Sequence, residues 1–350
     1  MAQPFLFVPP MHTHTDISHP RFDITEGNVS LHTLQQGLCA AIASRYDMGE
    51  ARALSFLLLE DGFGVCRTDV FADKVKYFSS DECQRLLSIL QQLLDGVPLQ
   101  YALGEAQFCG RTFRVTPDTL IPRPETEELV RWCEEEIIGE KGFDVGQGGV
   151  EAEQGSGHLR QEPTTLRLLD VGTGSGCIAI TLAAILPPSW KVKAWDISSG
   201  ALAVARDNAM RHHVSVDFSL QDALCCENVC ETYNVIVSNP PYICDSERQD
   251  MESHVLDHEP HTALFVPDAD PLLFYRALAQ LARRTLCPDG LLMVEINRAY
   301  AAETIALFQS QGLVDVRLRH DAFGNPRMVC ARQREALSTH NGTTLHEIIN

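Results

Sequence analysis

The second half of the chain alternates short apolar runs with segments of helical periodicity. Runs such as LRLLDV (166–171), KVKAWD (191–196) and YNVIVS (233–238) are typical of buried strands, and an amphipathic stretch follows each of the first two. We expect further strands in VDFSLQD, LLMVEI, LVDVRLRH and PRMVCA, with helices near 199–211, 271–286 and 300–311. This rhythm predicts an α/β domain over 166–333, with a mainly parallel sheet and helices on both faces.

The preceding region, 31–98, shows helical spacing and no chemical signature. Its last predicted helix carries a leucine stripe, begins at the capping-box pair Ser79 and Glu82, and ends before Gly96. LHTLQQGLCAAIASR and ARALSFLLLEDGFG predict two earlier helices. We interpret the region as a helical domain that packs or positions a substrate.

The other segments carry weaker patterns. We expect a loose segment over 1–30 and, over 99–139, a connector with short extended pieces and the PRPETE sequence. The stretch 140–165 is rich in Gly, Gln and Glu and has too few large apolar residues to order itself, so it predicts a flexible insertion. A polar tail follows over 334–350.

Charge and cysteine content narrow the function classes. The chain has 350 residues and a net charge of −19, with 28 Lys and Arg against 47 Asp and Glu. Such a surface repels phosphate, so we expect no direct nucleic-acid partner and no membrane surface. Its 12 cysteines include no C-x-x-C pair and indicate reduced thiols. We expect an intracellular protein, cytoplasmic or in the mitochondrial matrix of a eukaryotic source, because the first 30 residues resemble no secretory signal. A monomer is the default expectation.

A glycine-rich loop from Gly172 to Gly176 joins a predicted strand to an apolar helix. Glycines let the backbone approach a ligand closely, and a helix N-terminus favours a hydrogen-bond acceptor. Asp196 ends the next strand, where a carboxylate can accept from ribose hydroxyls, and Asp222 follows the third strand, within reach of an adenine amino group. Cys177 stands where a dinucleotide site requires glycine, so the loop favours another adenosine cofactor over NAD. The alternative is a tight turn without a ligand.

The fourth strand ends in the tetrapeptide Asn239-Pro240-Pro241-Tyr242. A planar NH2 group needs two acceptors, which the Asn239 side-chain oxygen and the Pro240 carbonyl can supply. Two prolines hold the backbone so that these acceptors stay aimed, and Tyr242 can pack on a flat substrate. The alternative is that the two prolines only stiffen a turn after the strand.

Together with the glycine loop, NPPY resembles amino-directed N-methyltransferases, and residues from about 80 to 333 resemble the HemK/PrmC release factor glutamine methyltransferases. The matching segments are YALGEAQFCGRTFRVTPDTLIPRPETEELV, LLDVGTGSGCIAI, AWDISSGALAVARDNA, VIVSNPPYI, HEPHTALF and LLFYRAL. The resemblance implies a Rossmann-like class I S-adenosylmethionine methyltransferase sheet, mostly parallel with an antiparallel last strand, and a small N-terminal helical domain. It implies N5-methylation of the glutamine in the GGQ motif of class I peptide chain release factors.

The site residues follow from the motifs and the resemblance. The residues that we expect to bind the cofactor, S-adenosyl-L-methionine, are Asp170, Gly172, Thr173, Gly174, Ser175, Gly176, Asp196, Ile197, Asp222, Ala223 and Asn239. The residues that we expect to bind the substrate amide are Asn239, Pro240, Pro241 and Tyr242. The resemblance adds Arg123 and Glu125, because it places PRPETE near the cofactor. Ala223 departs from family members that have an aromatic residue there. No histidine or cysteine base is expected.

Other functions and a metal stay open as alternatives. A DNA adenine or cytosine amino-methyltransferase would also use NPPY to bind an amino group, but it needs a basic cleft. A glutamine methyltransferase that acts on a ribosomal protein differs from this chain at IPRPETE. A third alternative is a noncatalytic cofactor-binding scaffold, which the intact glycine loop, the acids and NPPY disfavour. Two clusters, which we interpret as ordinary side chains without a metal, are His254, His258 and His261, and Cys225, Cys226 and Cys230.

Overall fold

The computed structural model describes residues 22–139 and 165–334. The chain divides into two compact units, residues 1–103 and 104–350. Most of the predicted loose segment, nearly all of the predicted insertion and nearly all of the polar tail lie outside the described residues.

The first unit is mainly helical. Its elements are β1 (Gly27–Ser30), α1 (Leu31–Ile42), α2 (Met48–Phe63), α3 (Arg67–Phe71), β2 (Val75–Phe78), α4 (Ser80–Leu94) and α5 (Leu99–Leu103). The three predicted helices are confirmed as α1, α2 and α4, and Ser79 and Glu82 form the predicted capping box. Residues 99–103, which we assigned to the connector, form α5 and belong to this unit.

The assignment of all of 1–30 to a loose segment was wrong at Gly27–Ser30. These residues form β1, which pairs antiparallel with β2. Four-residue strands whose pairing comes from backbone hydrogen bonds leave little alternation in the sequence, so the periodicity could not reveal them.

The second unit holds the predicted sheet. Its elements are β3 (Glu105–Phe108), β4 (Arg111–Arg114), α6 (Pro124–Ile138), β5 (Leu166–Val171), α7 (Cys177–Ile185), β6 (Trp190–Asp196), α8 (Ser199–Arg211), β7 (Val216–Leu220), β8 (Tyr233–Ser238), β9 (Ile243–Cys244), α9 (Ser253–His258), α10 (His261–Leu264), β10 (Phe265–Val266), α11 (Leu273–Thr285), β11 (Leu286–Glu295), α12 (Ala301–Ser310), β12 (Val314–His320) and β13 (Pro326–Arg332). The expected extended pieces of the connector form the β3–β4 hairpin.

Seven strands form one sheet in the order β12-β13-β11-β8-β5-β6-β7. The pairs β11–β8, β8–β5, β5–β6 and β6–β7 are parallel, and β13 runs antiparallel to both of its neighbours. This arrangement confirms the predicted mainly parallel sheet with an antiparallel last strand. The chain leaves β5 towards β6 on one side and β8 lies on the other, so a crevice forms beyond the carboxyl ends of these strands.

Helices cover both faces of the sheet, because its central strands are apolar on both sides. Leu168 packs into a core with Leu129 and Ile178, which belong to α6 and α7. Its neighbour Leu169 packs into a second core with Leu278 of α11. The continuous apolar runs of the sequence are therefore explained by two cores rather than one.

Candidate active site

A cleft of about 340 Å³ lies at the carboxyl ends of the central strands. Most of the predicted site residues line it, namely Gly172, Gly174, Asp196, Ile197, Asp222, Ala223, Asn239, Pro240 and Pro241. The predicted residues that are not part of its lining are Arg123, Glu125, Asp170, Thr173, Ser175, Gly176 and Tyr242.

The loop between β5 and α7 has the backbone conformation that its glycines permit. Gly172, Gly174 and Gly176 have φ angles of 74°, 55° and 83°, in the left-handed region. A Cβ on Gly176 would lie 2.7 Å from Ile180 Cδ1, whereas a Cβ on Gly172 or Gly174 would meet nothing within 4 Å. The third glycine thus permits close packing, and the first two leave room for a ligand beside the backbone.

Asp170 lies beneath this loop and is fully buried. Its Oδ2 accepts hydrogen bonds from Thr173 Oγ1 at 2.6 Å and from the Ala179 N–H at 3.2 Å. Its Oδ1 has no hydrogen-bond partner among the described residues. Burial raises the pKa of the Asp170 carboxyl to about 7.

The raised pKa of Asp170 predicts a pH-dependent stability. The folded chain holds this proton more tightly than the unfolded chain, so the stability from Asp170 is present at low pH and is lost as pH rises towards 7. We expect Asp170→Asn, relative to the wild type, to gain on the order of 2–4 kcal/mol in free energy of unfolding between pH 4.5 and pH 8.5.

Urea unfolding at the two pH values measures this gain. Asp257→Asn removes an exposed carboxylate and is the control, for which no such gain is expected. An equal difference between Asp170→Asn and the wild type at both pH values would contradict the prediction.

Two further carboxylates lie at the ends of neighbouring strands: Asp196 is the last residue of β6, and Asp222 follows β7. Asp196 accepts from the Gly174 N–H through Oδ2 and from the Ser198 N–H through Oδ1, both at 2.8 Å. Asp222 accepts from the Leu224 N–H at 2.8 Å. Because a carboxylate offers about four lone-pair sites, both keep acceptor capacity towards the cleft. Burial raises the pKa of Asp196.

Asn239 follows β8 and contacts a buried polar group. Its Nδ2 donates to Thr126 Oγ1 at 3.0 Å, and Thr126 Oγ1 donates to Glu295 Oε2 at 2.7 Å. Tyr242 donates through its hydroxyl to Glu295 Oε1 at 2.9 Å and packs against the core below α11. The packing of the Tyr242 ring on a substrate stays a prediction.

Burial raises the pKa of the Glu295 carboxyl. Hydrogen bonds from Thr126 and Tyr242 and the charge of Arg327 favour its ionised form, whereas the charge of Glu125 opposes it. Glu125 therefore acts on this buried group electrostatically, and it does not line the cleft.

The PRPETE segment is tied to the HEPHTALF segment by a buried ion pair. Arg123 Nη2 lies 2.6 Å from Glu259 Oε1, and the Ile121 N–H donates to Glu259 Oε2 at 3.2 Å. The Glu259 side chain is fully buried, and the next residue, Pro260, lines the cleft. Arg123 thus stabilises one wall of the cleft through its ion pair with Glu259.

Removal of Arg123 should destabilise the fold. Arg123→Ala leaves the Glu259 carboxylate buried without its partner, and we expect it to lower the free energy of unfolding by about 2 kcal/mol. This is less than for a fully buried pair, because the Arg123 side chain is 32% exposed. Arg131→Ala is the control, since Arg131 is 58% exposed and lies 3.8 Å from Glu127. Equal urea midpoints for the two variants would rule out a stabilising role of the pair.

Four residues of these networks were missed by the sequence reasoning: Thr126, Asn208, Glu259 and Glu295. Asn208 is fully buried, accepts from the Arg114 N–H, and donates to the carbonyls of Arg114 and Ser175. It thus joins the β3–β4 hairpin to the glycine loop. A signal was available for Glu295, which is polar between Val294 and Ile296 at the end of a predicted strand. The other three have a polar sequence neighbour and carry no such signal.

The histidine and cysteine clusters make ordinary contacts. A ring nitrogen of His261 hydrogen-bonds with the Leu256 carbonyl at 2.8 Å, and the ring packs edge-on against Phe265. The Cys226 thiol is buried and contacts the carbonyls of Asp222 and Ala223.

Two family models match the chain. The PrmC N-terminal domain matches residues 35–104, and the Methyltransferase small domain matches residues 156–262. A release factor glutamine methyltransferase of Bacteroides thetaiotaomicron is 43% identical over 289 residues, which are 82% of this chain and 95% of that protein. The chain belongs to the release factor glutamine methyltransferase family.

Other release factor glutamine methyltransferases agree. The protein of that name from Flavobacterium psychrophilum is 38% identical and covers 83% of this chain and 94% of its own length. The solved structure of a release-factor-specific protein-(glutamine-N5) methyltransferase from Alicyclobacillus acidocaldarius is 26% identical, covering 63% of this chain and 99% of that chain, with a TM-score of 0.36. The family assignment rests on the sequence relatives, which confirm the resemblance predicted from the motifs.

The fold is that of a class I S-adenosylmethionine methyltransferase, whose cofactor is S-adenosyl-L-methionine. The residues present fit this cofactor. In the described part of the chain, the charged residues that line the cleft are Asp118, Asp196 and Asp222, with no Lys or Arg. Such a wall suits a sulfonium cation and disfavours the pyrophosphate of NAD. None of the helices in the described ranges is long and apolar enough to cross a membrane.

Proposed function

We propose that this chain transfers a methyl group from S-adenosyl-L-methionine to the side-chain amide nitrogen, N5, of the glutamine in the GGQ motif of class I peptide chain release factors. The observation that carries the proposal is the orientation of Asn239. Its Nδ2 is bound to Thr126, whereas its Oδ1 accepts no hydrogen bond from the described residues, and Asn239 lines the cleft with Pro240. An acceptor is therefore free at the place where the motif requires one.

The chemistry follows from two acceptors and a bound methyl donor. The lone pair of an amide nitrogen is delocalised into its carbonyl, so the nitrogen is a weak nucleophile. Hydrogen bonds from its two N–H groups to Asn239 Oδ1 and the Pro240 carbonyl would orient it and stabilise the positive charge that develops there. The cofactor, when bound, supplies a methyl group on a cationic sulfonium. The methylated nitrogen is acidic and loses one proton to water, so no dedicated base is required.

The cofactor would be held by the loop and by the acids after β6 and β7. Asp196 has the position to accept from the ribose hydroxyls, and Asp222 has the position to accept from the adenine amino group. Ile197 and Leu224 line the cleft and present apolar surface, which offsets the absence of an aromatic side chain at Ala223. Asp170, Thr173, Ser175 and Gly176 would act from beneath, by shaping the loop.

The partner of this reaction is a protein. The net charge of −19 and the acidic cleft wall disfavour direct contact with nucleic acid or an anionic membrane. We assign contact with the release factor to the helical unit as well as the cleft, and we expect a monomer. The compartment would be one that holds class I release factors, the cytoplasm or the mitochondrial matrix.

The test is a transfer assay with labelled S-adenosylmethionine. The substrates are a class I release factor, its variant with GGA in place of GGQ, duplex DNA and ribosomal protein L3. We expect label on the wild-type release factor that is absent from the GGA variant. Label on DNA alone, or on the ribosomal protein alone, would overturn the proposal in favour of the corresponding methyltransferase.

A further inference from the structure

Three segments that are distant in the chain bring polar side chains together behind Asn239. Thr126 lies in the first turn of α6, Asn239 follows β8, and Glu295 ends β11. Thr126 and Glu295 are 2% and 1% exposed, so water does not replace the bonds between them. The chain of bonds runs from Asn239 Nδ2 to Thr126 Oγ1 and from there to Glu295 Oε2.

The direction of these bonds is set by the number of available protons. Thr126 Oγ1 donates to Glu295 Oε2, and a threonine hydroxyl carries a single proton. Because Thr126 gives that proton to Glu295, it can only accept from Asn239. The Asn239 group that faces Thr126 must then be the NH2 and not the oxygen. The second carboxylate oxygen of Glu295 accepts from Tyr242 and is not free to reverse the order.

We infer that Thr126 and Glu295 are positioning residues that hold the Asn239 amide with its oxygen towards the cleft. The inference rests on the proposed function, in which that oxygen accepts from the substrate amide. The two orientations of an asparagine amide have nearly the same shape, so packing does not distinguish them, whereas a hydrogen-bond network does. In the flipped orientation an N–H group would face the N–H donors of the substrate and repel them.

The inference gives the threonine of PRPETE a role in the reaction. The first turn of α6 already explains the proline and the acids of this segment as helix-start residues, since Pro124 is the first helical residue. A role in starting the helix does not explain the buried Thr126, whose hydroxyl hydrogen-bonds both to the residue after β8 and to the end of β11. A requirement to orient Asn239 explains it.

Substitutions at Thr126 test the inference. Thr126→Val keeps the shape but removes the hydroxyl, and we expect kcat to fall by about 10- to 30-fold, since the free amide then samples both orientations and loses a buried hydrogen bond. Thr126→Ser keeps the hydroxyl and should stay within about threefold of the wild type. KM for the release factor and Kd for S-adenosylmethionine should change by less than about threefold, because neither requires the oriented amide to the same degree as the transition state.

Three controls separate positioning from folding. Thr285→Val is the matched control, because Thr285 is a buried threonine whose hydroxyl bonds within its own helix to Leu281; its kcat should not change. Urea midpoints show whether the variants fold. Should Thr126→Val fail to fold, Thr126→Cys replaces it, since the thiol is a weak acceptor, and its kcat should lie at least about fivefold below that of Thr126→Ser.

A double-mutant cycle with Asn239→Ala is the deciding measurement. If Thr126 acts through Asn239, Thr126→Val should cost nothing further once Asn239 is alanine, so the double variant should be as slow as Asn239→Ala alone. Multiplicative losses, or a wild-type kcat for Thr126→Val, would overturn the inference and leave the proposed function intact. A normal kcat for Asn239→Ala would instead overturn the proposed role of Asn239 itself.

Discussion

Asn239→Ala is expected to lower kcat for methyl transfer to the release factor by about 10²- to 10³-fold, or about 3–4 kcal/mol. The reason is that the variant loses an acceptor fixed in the transition state, comparable to the loss of one oriented donor from an oxyanion hole. The assay uses labelled S-adenosylmethionine at saturating concentration, so that a change in cofactor affinity does not enter the turnover number. A parallel calorimetric titration measures cofactor binding.

The matched control is Asn234→Ala. Asn234 belongs to the same strand, β8, but its Oδ1 accepts from the Arg167 N–H at 2.9 Å, near the opposite end of that strand. We expect this variant to retain turnover. Near-normal turnover of Asn239→Ala, with cofactor binding intact, would show that the amide nitrogen is activated by other groups.

Asp196→Ala is expected to raise Kd for S-adenosylmethionine by about 10²- to 10³-fold. A hydrogen bond to a charged group contributes about 1.5–3 kcal/mol, and Asp196 has the position to accept two from the ribose. The variant also loses the hydrogen bonds from the Gly174 and Ser198 N–H groups, so the conformation of the glycine loop is less stabilised. Isothermal titration with S-adenosylmethionine measures the change.

Asp217→Ala provides the comparison for this prediction. Asp217 lies on the neighbouring strand β7, and its side chain is 71% exposed and 3.5 Å from Lys193. We expect Kd for S-adenosylmethionine to stay within about twofold of the wild type, because exposed ion pairs contribute little. A Kd for Asp196→Ala in the same range as that of Asp217→Ala would place the ribose elsewhere in the cleft.

Much of the fold could be predicted from the sequence, because its determinants are local. The strand predicted at 166–171 and the helix predicted at 199–211 have these same bounds in the structure. Buried parallel strands have continuous apolar runs in the sequence, and amphipathic helices have apolar residues that recur about every 3.6 positions. The β1–β2 pair could not be predicted, because its stability depends on hydrogen bonds between residues 45 to 51 positions apart, as in the pair of Gly27 and Phe78.

The candidate site divides in the same way. The glycine loop, Asp196, Asp222 and NPPY could be placed beside one another, because the carboxyl ends of adjacent parallel strands meet at one edge. Arg123 was placed near the cofactor only through the family resemblance, and its partner Glu259 could not be predicted. The two residues lie 136 positions apart in the chain, and neither motif indicates that it contacts the other.

The sequence by itself determined most of the helices, the strands of the main sheet, the loop conformation and the family. Only the tertiary structure decided which polar groups satisfy one another in the interior. Thr126 meets Asn239 across 113 residues and Glu295 across 169 residues. The physical reason is that a buried hydroxyl, amide or carboxylate must find its partner among whatever groups the folded chain brings within about 3 Å. The orientation of the Asn239 amide therefore follows from the packing of α6 and β11 around β8.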